Sequence, residues 1–105
     1  MQKLVPNGGG IGTTSFFMKR QMKYQYIDVA ECDNEVRINM PSLNDNNIDE
    51  LHLLMDGITG KSFVFVTNMV WKEIPTEITN GALYEFIFTW IKSLNNWYAG
   101  YIKYE

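Results

Sequence analysis

One cysteine, Cys32, and one histidine, His52, in 105 residues exclude the two staples on which small folds often lean. A lone thiol forms no internal disulfide, and one cysteine with one histidine falls short of a structural zinc set. Packing therefore has to hold this chain together. An apolar share of 46% with 20% charged residues is the usage of a globular domain and not of a disordered chain. At this length a single domain over residues 1–105 is expected. The apolar stretches 63–66 and 83–91 are too short or too broken to span a bilayer, and the N-terminus carries no apolar signal region. The expectation is a cytoplasmic protein without a membrane partner.

Residues 23 to 30, "KYQYIDVA", are rich in aromatic and β-branched side chains, and "EVRINM" at 35 to 40 alternates Val36, Ile38 and Met40 with polar residues. Both read as strands, and the polar "ECDN" between them predicts a β-hairpin. Past Pro41, Asn and Asp residues precede Ile48, Leu51, Leu54 or Met55, and Ile58 at helical spacing, with Gly57 placed as a terminator. This predicts a helix over 47 to 57. "SFVFVTNMVW" (62 to 71) reads as a central strand, and Leu83, Phe86, Ile87, Trp90, Ile91 and Leu94 form a stripe that predicts a second helix over 80 to 95. "WYAGYIKYE" closes as a strand, or its aromatics continue the helix.

The expected fold is thus α/β, bordering on α+β. It is a mixed sheet of four or five strands in the order β-β-α-β-α-β from residue 23, with two main helices. Strands 35–40, 62–70 and 97–104 would be parallel through right-handed crossovers, with 23–30 antiparallel beside the first. Gln2 to Val5 is a short candidate strand. Residues 15 to 22, "SFFMKRQM", fit a capped helix or a strand equally, so residues 1–22 form a basic, glycine-rich segment of open structure.

Four glycines crowd into "PNGGGIGTTS" at 6 to 15. A dinucleotide loop needs a third glycine where Ser15 stands, and a phosphate loop needs a lysine where Thr13 follows Gly12. Phosphate binding at Gly10, Gly12, Thr13 and Thr14 is therefore the weaker reading, and a flexible joint the stronger. No cofactor and no metal are expected. Cys32 and His52 are not brought together by anything in the sequence, and capping explains Asp45 and Asp49 better than a metal does. Glu73 and Glu77 flank Pro75 without supporting ligands.

Charge is unevenly spread. Residues 1–27 carry four bases and no acid, residues 28–56 carry eight acids against Arg37, and residues 57–105 balance four against four. An acidic middle disfavours nucleic acid and suits a partner with a basic surface. Tyr84, Phe88, Trp97, Tyr98, Tyr101 and Tyr104 exceed the needs of one stripe and one strand face, which leaves a homodimer open.

The run "YIDVAECDNEVRINMPSLNDNNIDELHLLMDGITGKSFVFVTNMV" resembles the start of the STAS domain of anti-sigma factor antagonists, with Glu50 and Leu51 as its helical "EL" pair and Phe63 to Asn68 as its central strand. That resemblance implies a regulatory protein-interaction module, modified at a "DSSG" serine. Here "EITNGALYEF" sets Thr79, Asn80 and Gly81 against Ser-Ser-Gly, with Ile78 at the aspartate. "NIDEL" and "ITNGA" are similar to barstar-like inhibitors, with Asp49 at one interface acid and Leu53 at the other.

Two functions follow. The first is a non-catalytic regulatory interaction module with partner-binding residues Asp45, Asp49, Glu50, Asn68, Thr76, Thr79 and Asn80, and with modification at Thr76 or Thr79. The second is a dedicated inhibitor, such as an immunity protein, antitoxin or phage-encoded blocker, covering a basic site with the acidic segment 28–56. An enzyme ranks third.

Overall fold

The structure is a computed structural model and describes residues 1–8, 10–29, 32–41, 49–56, 61–73 and 82–104. Strand takes 57% of these residues and helix 5%, with no helix as long as seven residues. The α/β expectation with two main helices is therefore overturned. Among the described residues nine strands run β1 (Gln2–Lys3), β2 (Thr13–Phe17), β3 (Tyr24–Ile27), β4 (Glu35–Asn39), β5 (Glu50–Asp56), β6 (Ser62–Phe65), β7 (Val70–Trp71), β8 (Leu83–Ile91) and β9 (Asn96–Tyr104). A 3-10 turn over Lys92–Leu94, with Asn95 left-handed at φ 51°, joins the last two.

They form a large sheet, ordered β1-β3-β5-β8-β9-β7, and a small sheet, ordered β2-β4-β6. The chain alternates between the two sheets from β1 to β6. Gln2 lies beside Gln25 and Thr13 beside Glu35, while Tyr24 lies beside His52 and Glu35 beside Ser62, all in parallel. Successive strands thus stack as rungs of a flattened coil. The expected hairpin of residues 23–40 is a corner between sheets instead. Cys32 N–H donates to Val29 O at 3.1 Å, and Asp33 N–H donates to the Thr14 hydroxyl at 2.8 Å.

The parallel pairing of 35–40 with 62–70 holds for β4 and β6. Strand β3, in contrast, pairs parallel with β1 and β5 and not with β4. β9 runs antiparallel to β8 and parallel only to the two-residue β7.

The segment expected as the first helix is β5. Leu51, Leu53 and Met55 point inward and are fully or almost fully buried, while Asp56 lies outward. The second expected helix is β8, where Tyr84, Phe86 and Phe88 alternate inward against the outward Glu85 and Ile87. Aromatic side chains suit the pleated surface, and here cross-strand partners decide the state of segments whose apolar residues satisfy both periods. Small-sheet residues Phe16, Val36 and Ile38 complete the core, and Phe65 reaches across to Phe86 and Phe88 at 5.1 and 6.0 Å between ring centres. Each such buried side chain contributes roughly 1.5–3 kcal/mol, which is how the fold manages without a covalent staple.

The glycine segment has a structural task. Asn7 N–H donates to Ser15 O, Ser15 N–H to Gly8 O and Thr13 N–H to Gly10 O, at 2.8, 3.2 and 3.1 Å. It folds back on β2 and occupies its outer edge, with Gly8 and Gly12 at φ +89° and +76°. Among the described residues no helix is long and apolar enough to cross a membrane.

Candidate functional site

The outer face of the large sheet collects the polar chemistry. Period-two alternation sends Glu50, His52, Leu54 and Asp56 of β5 to this face, beside Tyr24 and Tyr26 of β3 and Thr89, Ile87, Glu85 and Leu83 of β8. Tyr98, Gly100, Ile102 and Tyr104 of β9 continue it. His52 is only 9% exposed despite facing outward, because neighbours close over it. Its Nδ1 lies 2.5 Å from Glu85 Oε2, its Nε2 lies 2.9 Å from Glu50 Oε2, and the Tyr24 ring sits 4.7 Å away.

Ionised carboxylates only accept, and a neutral imidazole has one donor. Both contacts are satisfied together only when His52 is the imidazolium. His52 holds the Glu85 carboxyl below the usual carboxylate range, helped by the Tyr104 hydroxyl, which donates to Glu85 Oε1 at 2.8 Å. His52 likewise lowers Glu50, helped by Lys23, whose Nζ is 3.4 Å from Glu50 Oε2. Donation to Glu85 raises the Tyr104 phenol. The two carboxylates thus meet the Lys23 ammonium and the two ring nitrogens of His52.

This arrangement ties strands together more readily than it performs chemistry. The two carboxylates sit at opposite ring nitrogens, so no single point faces all three groups as a metal requires. Among the described residues no group of His, Cys, Asp and Glu is arranged to hold a metal ion. Cys32 is buried at the corner between β3 and β4, with its Sγ 3.5 Å from Asp28 O, and no described contact links it to His52. A shallow hollow of about 250 Å³ opens beside the cluster, lined by Met1, Tyr26, Leu54, Leu83 and Asp56. Asp56 is exposed and makes no ion pair among the described residues.

The expected site residues are dispersed. Asp45, Thr76, Thr79 and Asn80 lie outside the described residues. Glu50 belongs to the cluster, whereas Asp49 pairs with the buried guanidinium of Arg20 at 2.8 Å. Asn68 is exposed in the connection between β6 and β7. At the glycine loop, Thr13 donates to Glu35 at 3.1 Å and Thr14 to Asp33 at 3.2 Å, and the Thr13 amide is taken by Gly10 O. A phosphate there would meet two carboxylates.

The described acids of 28–56 are spread over both sheets, with Glu35 on the small sheet and Glu50 and Asp56 on the large one. Glu35 is held low by Arg37 and by Thr13. Of the surplus aromatics, Tyr84, Phe88 and Trp97 belong to the core and Tyr101 packs against it, while Tyr98 and Tyr104 reach the outer face.

Sequence reasoning missed His52, Glu85, Tyr24 and Tyr104 as a unit. The available signal was Glu50-x-His52 at period two, which the helical reading of the same residues displaced. No protein family, curated protein or solved structure matches this chain.

Proposed function

We propose that this chain is a non-catalytic regulatory protein-interaction module whose partner docks on the outer face of the large sheet, placing an arginine or lysine in the hollow beside Asp56. The observation that carries this reading is the hollow itself. Its walls of Tyr26, Leu54, Leu83 and Met1 suit an aliphatic stem, and Asp56 on its rim suits the cation at the end of that stem. Tyr24, Ile102 and Tyr104 are exposed around it, and tyrosine contributes large area with a polar handle at interfaces. The inhibitor reading asks for one acidic surface, and among the described residues Glu35 lies on the small sheet paired with Arg37, while Glu50 and Asp56 lie on the large one and Asp49 pairs with Arg20.

The test is affinity capture from the native host with the wild-type chain and with Asp56→Lys, each checked for an unchanged circular dichroism spectrum. A partner retained by wild type and lost by the variant supports the proposal. Recovery of the same proteins by both overturns it.

A further inference from the structure

The two edges of the small sheet are treated differently. The outer edge of β2 is occupied by the glycine segment through Asn7, Gly8 and Gly10. At the opposite edge is β6, and among the described residues nothing pairs with its outer side. Ser62 N–H donates to Asn34 O and Val66 N–H to Ile38 O, so residues 62, 64 and 66 face β4. Alternation then turns the N–H and C=O groups of Phe63 and Phe65 outward.

Natural sheets blunt such an edge with lysine, proline or a bulge. Residues 62–71 contain no charge and no proline. Val64 and Val66 are 37% and 47% exposed, and Phe63, Phe65, Met69 and Trp71 are only partly covered where they pack on the core. The large sheet ends in β1 and β7, of two residues each, which offer little for a strand to pair with.

We propose that β6 is a dimer seam, pairing antiparallel with β6 of a second copy of this chain. Three observations select that occupant. A head-to-tail contact would need the β2 edge of the next copy, which the glycine segment already fills, so the isologous, closed arrangement remains. The outward groups of Phe63 and Phe65 fix the register. Phe63 pairs with Phe65 of the second copy through both of its backbone bonds, and Val64 falls on the two-fold axis. In that register residues 62–66 of the two copies meet without a charge, and each Lys61 stands opposite Thr67 of the other copy, so no like charges face one another although each chain carries a net −3. The two small sheets become one of six strands, and the half-covered phenylalanines of each copy close over those of the other.

The test combines sedimentation equilibrium with site-directed crosslinking. The mass should rise from 12.2 kDa toward twice that value with concentration. Val64→Lys, on an exposed side chain, should shift the transition to at least about tenfold higher concentration, a loss of about 1.4 kcal/mol, with circular dichroism unchanged. Under mild oxidation Val64→Cys should link two copies. Val66→Cys should not, because the two residues 66 lie four residues out of step, about 13 Å apart at a strand's rise. A chain that stays monomeric up to about 1 mM overturns the proposal, since interfaces weaker than that lie beyond specific association. Capture of another protein's strand by this edge in place of a second copy overturns it too, as does a dimer that Val64→Cys fails to link.

Discussion

Gln25 offers the sharpest test of how this fold is pinned. It lies on β3, pointing into the core with 0% exposure, and all of its polar atoms are used. Its Oε1 accepts from Lys19 N–H at 2.9 Å, and its Nε2 donates to Lys19 O and Met22 O at 2.8 and 2.6 Å. One side chain thereby fastens the corner between β2 and β3. Gln25→Leu keeps roughly the same volume and leaves three backbone groups without their partner. An orphaned buried group costs about 1–3 kcal/mol, and exposed Lys19 lets water recover part of this, so about 3 kcal/mol in total is expected.

In urea that loss lowers the midpoint by about 1–3 M at an m-value of 1–3 kcal/mol/M, and it lowers Tm by about 12–24 °C. Gln25→Glu should be worse. Its second carboxylate oxygen would face the Lys19 and Met22 carbonyls with nothing to donate. Equilibrium urea unfolding at neutral pH reads both. If Gln25→Leu stays within about 0.5 kcal/mol of wild type, the size of a neutral surface change, the corner is held by something else.

Two further outcomes follow from other parts of the structure. Glu50 and Glu85 are held below the ordinary value of 4.5 by His52, so they contribute stability above that pH and lose it as pH falls through their folded values. The urea midpoint of wild type should therefore drop more steeply between about pH 5 and pH 3 than that of the double variant Glu50→Gln/Glu85→Gln, and parallel curves would refute this account. Gly8→Ala and Gly12→Ala, at positive φ, should each cost about 1–2 kcal/mol in thermal unfolding, whereas Gly10→Ala, with a negative-side φ and open space around it, should lie within about 1 kcal/mol of wild type.

The strands at 24–27, 35–39 and 62–65 were legible from β-branched and aromatic residues, alternation or a short apolar run, whereas 96–104 was one of two readings of its aromatics. Segments 50–56 and 83–91 were not legible. Leu51, Leu53 and Met55 satisfy period two, while Leu51, Leu54 and Ile58 satisfy the helical period, and nothing local chooses between them. The partners that choose are Phe88, Phe86 and Tyr84, which lie 37, 33 and 29 residues further along the chain. Topology was lost by the same step. Parallel strands were expected to need helical crossovers, and from β1 to β6 each parallel pair is instead separated in the chain by a strand of the other sheet. The candidate site went unseen because His52, Glu85 and Tyr104 converge only after β5, β8 and β9 pair. The glycine segment was visible as an anomaly, but its use as an edge cover depends on where Ser15 ends up.

The alternation of the chain between sheets also sets an order of assembly. From β1 to β6 no strand pairs with its immediate successor, so each rung waits for a chain segment more than twenty residues further along. The one long pairing of sequence neighbours is the hairpin of β8 and β9, nine residue pairs closed by Asn95. Local contacts form fastest. During synthesis, β1 to β6 emerge before the hairpin on which β5 completes its pairing, so the apolar faces of the rungs stay open longest. A growing chain of this kind would spend that interval as a client for chaperones, and the hairpin is where its commitment to the native fold would begin.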